Sequence, residues 1–134
     1  MKHLWTGHTK FLVIGLLCVC TTALLQAQHI KLPQDIVKAL ETGNAKEICK
    51  RFNSSVELIL NQNQDVYGKS QAEQILKNFF EINGPRFKYK DLHSSGKEES
   101  HCNVIGQLYT SKGIYRVYIY IKNGQIYQMR LDND

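Results

Sequence analysis

Four runs in the second half of the chain, residues 87–94, 102–110, 114–121 and 125–131, alternate apolar with polar side chains, and turn residues separate each run from the next. Alternation with period two marks strands that bury one face, and connections this short join antiparallel neighbours. Ser95-Gly96, Ser111-Lys112-Gly113 and Lys122-Asn123-Gly124-Gln125 are the connections, and Asn-Gly suits the two positive-φ positions of a type I′ turn. An antiparallel meander is therefore expected. A sheet with one apolar face needs a cover, and the preceding segment offers one. Ala72, Ile75, Leu76, Phe79 and Phe80 recur at helical spacing, opened by Ser70-Gln71-Ala72-Glu73 as a capping box and closed by Asn83-Gly84-Pro85. That stripe reads as core, because a cofactor-binding face would want polar groups among the aromatics.

The elements upstream are shorter. Pro33 and Asp35 open a helix whose apolar side is Ile36, Ala39 and Leu40, and Gly43 ends it. Asn44, with Glu47 three residues on, starts another that carries Ile48, Cys49 and Phe52. Val56, Leu58 and Leu60 then alternate with Glu57 in a strand over residues 54–60, followed by a polar loop over 61–65. Helices this brief need tertiary packing. The 134 residues thus form one modest domain of α+β class, N-terminal helices packed on a curved antiparallel sheet.

Residues 1–28 read as a secretory signal peptide. They carry Lys2 and Lys10, an apolar run from Phe11 to Leu25 and no acidic residue, with cleavage expected near Ala27 or Gln28. The run is shorter than the roughly 20 residues of a membrane span and is interrupted by Thr21 and Thr22. Leu17 and Val19 stand where lipidation of Cys18 or Cys20 would want a small residue. The domain is 29–134, exported to the periplasm or beyond, with no stable membrane insertion after cleavage. Losing Lys2 and Lys10 leaves 15 basic against 12 acidic side chains and a net charge of +3. Nucleic acid is not an expected partner, since Arg86, Lys88 and Lys90 only alternate along a strand and no basic patch is evident. Cys49 and Cys102 remain, either as two buried thiols or as one disulfide. No metal site and no cofactor is expected, for neither cysteine has partners at ligand spacing. Asn53-Ser54-Ser55 matches a glycosylation sequon, a match frequent by chance.

Alternation also assigns faces. Cys102, Val104 and Leu108, then Tyr115, Val117, Ile119 and Ile121, then Tyr127, Met129 and Leu131 are expected to face the helices. Opposite them lie Ile105 and Tyr109, Arg116, Tyr118 and Tyr120, and Ile126, Gln128 and Arg130. A surface so rich in aromatic and arginine side chains has the composition of an interface, and Arg116, Tyr118 and Tyr120 are the candidates for homodimer contacts.

The order of helices and strands, with Gly43-Asn44-Ala45-Lys46-Glu47, Phe52-Asn53-Ser54-Ser55-Val56-Glu57-Leu58, the run Tyr67-Gly68-Lys69-Ser70-Gln71-Ala72-Glu73-Gln74-Ile75-Leu76, Phe79-Phe80 and Gly113-Ile114-Tyr115-Arg116-Val117-Tyr118-Ile119-Tyr120, resembles a family of small exported bacterial proteins. That family is a domain of unknown function with the nuclear transport factor 2-like fold, in which helices cap a bent sheet to make a cone. Within the cone that the resemblance implies, Tyr67, Phe79, Phe80 and Tyr115 are the expected lining of an apolar pocket, with a small apolar molecule as the expected ligand. The resemblance brings no activity, because the superfamily includes isomerases, dehydratases and non-catalytic modules. Two functions are open. One is a non-catalytic binding or dimerisation module. The other is a small isomerase or lyase, in which His93 acts as base and Asp91 orients it, the two sharing a face by period two with Phe87 and Tyr89. Anchorage to a neighbouring envelope protein is a third and weaker option.

Overall fold

The computed structural model describes residues 30–97 and 100–134. The segment read as a signal peptide lies outside the described residues. In chain order the elements are α1 (Gln34–Glu41), α2 (Ala45–Lys50), β1 (Phe52–Leu60), β2 (Asn63–Gly68), α3 (Lys69–Asn83), β3 (Phe87–Lys97), β4 (His101–Thr110), β5 (Gly113–Lys122) and β6 (Gln125–Asn133). The strands form one sheet in the order β2-β1-β6-β5-β4-β3. The expected meander is β3 to β6. β1 lies parallel to β6 and is the one exception to antiparallel pairing in this sheet.

Local chemistry explains the helices. α1 follows Pro33, whose carbonyl accepts from the Ile36 and Val37 amides at 3.0 and 3.1 Å. Arg51 donates to both oxygens of Asp35, at 2.7 and 3.0 Å, and to the Gly124 carbonyl at 3.2 Å, so α1 is tied to the β5–β6 turn. The same guanidinium holds the Asp35 carboxyl below its ordinary range. Asn44 caps α2 by accepting from the Glu47 amide at 3.2 Å, while Glu47 itself turns to Lys50 and leaves the capping box half made. The box expected at Ser70 does not form. Gly68 occupies the cap of α3 while still paired with Ser55, so the strand runs into the helix with no linker in which Ser70 could cap.

β2 replaces the expected polar loop. Asn61 and Gln62 both take positive φ, 48° and 72°, and turn the chain back so that Asn63–Gly68 pairs along β1. Such a pair of left-handed residues is the geometry of a type I′ hairpin. Asn63 to Val66 are exposed, so no alternation betrays this edge strand in the sequence. On it the Asp65 carboxylate accepts from the Val66 amide at 2.8 Å.

Two bulges correct the assignment of faces. On β3 the extra residue is Leu92: Asp91 lies opposite Gly106 and His93 opposite Ile105, so the two no longer share a side. On β6 it is Tyr127. Tyr120 pairs with Gln128 and Ile121 with Ile126, which turns Ile126 fully into the core and sends Tyr127 to the outer face, the reverse of the expected arrangement. An inserted residue shifts every side chain on one side of it by half a period.

Ala72, Leu76, Phe79 and Phe80 of α3, with the buried sides of α1 and α2, join Val104, Leu108, Val117, Ile119, Met129 and Leu131 in one core. Gly106 is part of the same packing. A Cβ there would stand 2.4 Å from the Tyr89 hydroxyl and 2.5 Å from its ring. Cys49 and Cys102 are buried thiols with no bridge between them, and burial pushes the Cys49 thiol up to about 12. Gly106→Ala is expected to cost about 1–3 kcal/mol in urea unfolding, by overpacking against Tyr89. Cys49 should resist iodoacetamide at pH 8 until the chain unfolds. Its thiolate forms first in the unfolded chain, so its contribution to stability is complete below about pH 9 and is lost as the pH rises toward 12.

Candidate functional site

Inside the cone, the Phe79 ring meets Phe80 edge-on at 5.5 Å and Tyr115 at 4.9 Å, while Phe80 meets Phe87 at 5.2 Å. The Tyr115 hydroxyl donates to Asn83 Oδ1 at 3.0 Å, and Asn83 Nδ2 donates to the Phe79 carbonyl at 2.9 Å. Three of the four residues expected to line a pocket are therefore brought together, and they present their edges and polar atoms to one another. Tyr67 stands apart. It lies on β2 opposite Val56, beside the first turn of α3, and ten residues of helix, about 15 Å, separate that turn from Phe79. Asn83, the one buried polar side chain of the described residues, was not anticipated. Its place four residues after Phe79, on the apolar stripe, was the available signal.

The structure does not bring Asp91 and His93 together. Asp91 faces inward and accepts from the Tyr89 hydroxyl at 2.9 Å. Burial, reinforced by that carboxylate, raises the Tyr89 phenol well above its ordinary value. His93 is exposed on the other side of the sheet. Among the described residues no three His, Cys, Asp or Glu side chains gather as a metal would require, and no helix is long and apolar enough to cross a membrane.

The outer face is more elaborate. Arg116, Tyr118 and Tyr120 share it, as alternation along β5 requires. Tyr118 donates to Asn103 Oδ1 at 2.6 Å, and burial raises its phenol above the ordinary value. The Tyr120 hydroxyl and His101 Nδ1 share a hydrogen bond of 3.2 Å, and the Tyr120 ring lies 6.2 Å from that of Tyr127. Glu57 accepts from Gln128 at 3.0 Å and from Gln64. Arg116 pairs with Asp134 at 3.0 Å and Arg130 with Asp132. A shallow groove of about 280 Å³ runs between Ile105, Arg116, Tyr118, Gln128 and Arg130. Ile59 also points to this side, yet it is only 4% exposed and stands outside the main core. Glu57, Gln128 and Ile59 were missed as a group because they become neighbours only through the parallel β1–β6 pairing.

Residues 33–132 match the family described as Domain of unknown function (DUF4783). No curated protein matches the chain. Among solved structures it is similar to a DUF4783 family protein from Bacteroides ovatus, with 27% identity, 77% of this chain and 96% of that chain covered, and a TM-score of 0.69. Another, from Bacteroides uniformis, is 28% identical over 78% of this chain and 98% of that one, at 0.67. A nuclear transport factor 2-like protein of unknown function from Cytophaga hutchinsonii shares the fold at 16% identity, 75% and 85% coverage and 0.53.

Tyr115→Phe is expected to cost about 1–2 kcal/mol in urea unfolding, because Asn83 Oδ1 is then buried without its donor. Equal midpoints for the two proteins would count against that role.

Proposed function

Since the chain belongs to the DUF4783 family, whose name assigns no activity, its own surfaces have to supply the reading, and we propose an exported, non-catalytic binding module that works through the outer face of its sheet. The observation that carries this is the band of half-buried tyrosines on that face, whose hydroxyls are held by neighbours: Tyr118 by Asn103 and Tyr120 by His101. Ordering such side chains in advance lowers the entropy lost on association, and Tyr and Arg are the residue types enriched at interfaces. Phe79, Phe80 and Tyr115 by contrast pack on one another inside the cone.

Native mass spectrometry of the protein purified from its own cells tests this. A second polypeptide on the domain is expected, lost on Tyr118→Ala and kept on His93→Ala and Asp91→Ala. A small apolar adduct that survives Tyr118→Ala would move the working site into the cone and overturn the reading.

A further inference from the structure

The binding reading leaves open the chemistry of the partner, and we propose, resting on that reading, that the bound polypeptide brings an acidic, extended segment that lies over Lys88 and Lys90. The strand register sets out the charges of the face. Lys88 lies opposite Tyr109 and Lys90 opposite Gln107, while β4 in turn sets Tyr109 beside Ile114 and Gln107 beside Arg116. Both lysines therefore share the side of the sheet that carries Arg116, Tyr118 and Tyr120, and both are exposed. In sequence they only alternate along a strand. The meander adds Tyr109 and Ile114 as neighbours, 36% and 40% exposed. A cleft of about 610 Å³ is lined by Lys88, Tyr89, Lys90 and Tyr109. The Arg86 amide donates to the Ser111 hydroxyl at 3.0 Å, which brings the exposed Arg86 and Lys112 to the same end of the sheet.

These cations are not balanced locally. Asp134 accepts from Arg116 at 3.0 Å and from Gln107 at 2.6 Å, and Asp132 pairs with Arg130. Asp91 faces inward to Tyr89. Glu41 of α1 reaches the edge of β3, where the Tyr89 amide engages it at 3.1 Å. Among the described residues neither Lys88 nor Lys90 has a carboxylate partner. Glu57, the remaining carboxylate of the outer face, accepts from Gln64 and Gln128 on the far side of the sheet. β1 is four strands from β3, about 19 Å at the spacing of a sheet, and charges are screened over roughly 8 Å at physiological salt. Glu57 therefore does not neutralise the lysines, and the anion that fits them comes from outside the chain.

Geometry selects an extended polypeptide. Lys88 and Lys90 stand two residues apart on one strand, about 6.7 Å, and side chains on one side of any extended segment repeat at the same distance. Carboxylates at alternate positions thus meet both lysines in one register. Tyr109 and Ile114 lie alongside as apolar surface for the rest of the segment. Glu41 obstructs the edge of β3, so the segment lies over the face and does not extend the sheet.

Fluorescence anisotropy at about 50 mM NaCl, where screening is weak, tests this with a fluorescein-labelled peptide that alternates Glu with Thr. The same peptide with Gln for Glu is expected to bind about tenfold more weakly. Lys88→Glu with Lys90→Glu should weaken binding of the Glu peptide about tenfold or more. Lys46→Glu with Lys77→Glu, an equal change of net charge on α2 and α3, should leave it within about threefold. Equal binding of the two peptides, or an equal loss in the helix variant, overturns the proposal. So does a protein that ignores the peptide yet binds phosphatidylglycerol vesicles through the two lysines. Circular dichroism checks that the variants fold. Where the reversal unfolds the chain, Lys88→Gln with Lys90→Gln replaces it, a loss of about threefold or more being expected and no loss overturning the proposal. Native mass spectrometry separates the segment from the reading beneath it. A second polypeptide lost on Lys88→Glu with Lys90→Glu, as on Tyr118→Ala, supports the segment. One lost on Tyr118→Ala but kept on the lysine variant removes the segment and leaves the face. A wild type that carries no second polypeptide removes the face, and the segment with it.

Discussion

The apolar stripe of α3 has to be covered, and the inner face of the meander is what covers it. Leu76, Phe79 and Phe80 project into one core with Val104, Val117, Ile119 and Met129. That burial decides which side of each strand points inward, and therefore which residues are left for the other side. The same requirement accounts for the bulges. At Tyr127 an additional residue lets both Ile126 and Met129 reach the core although they are three apart, a spacing that a regular strand would send to opposite faces.

Most of the architecture was legible because it rests on periodicity. The α3 stripe and the four meander strands stand where alternation places them, and Asn123-Gly124 takes the two positive φ values, 50° and 75°, that its residue types favour. What escaped is what periodicity cannot encode. β2 opens with Asn63, Gln64 and Asp65, polar on both sides, and its Val66 is exposed, so its pattern does not distinguish it from a loop. The bulge at Leu92 depends on register against β4, a long-range property, and it separates Asp91 from His93. The Glu57, Gln128 and Ile59 neighbourhood requires knowing that β1 returns beside β6.

The aromatic residues divide between two environments. Inside, Phe79, Phe80, Phe87 and Tyr115 make edge-to-face contacts, and the phenol that reaches this interior finds Asn83 as its acceptor. Outside, Tyr118 and Tyr120 expose part of each ring while side chains of the adjacent strand hold their hydroxyls. Since one fold serves many chemistries, this division says more about how the molecule works than the architecture does.

The two margins of the sheet are also treated differently. Along β3, Glu41 of α1 accepts from the Tyr89 amide at 3.1 Å, so a helix shields that border. Among the described residues no helix side chain accepts from an amide of β2, and a row of open amides there would invite uncontrolled strand addition. Asp65 answers with its own carboxylate, which engages the next amide along and sets a negative charge in the path of any newcomer. Addition of a further strand is thus opposed at one border by a helix and at the other by a single side chain.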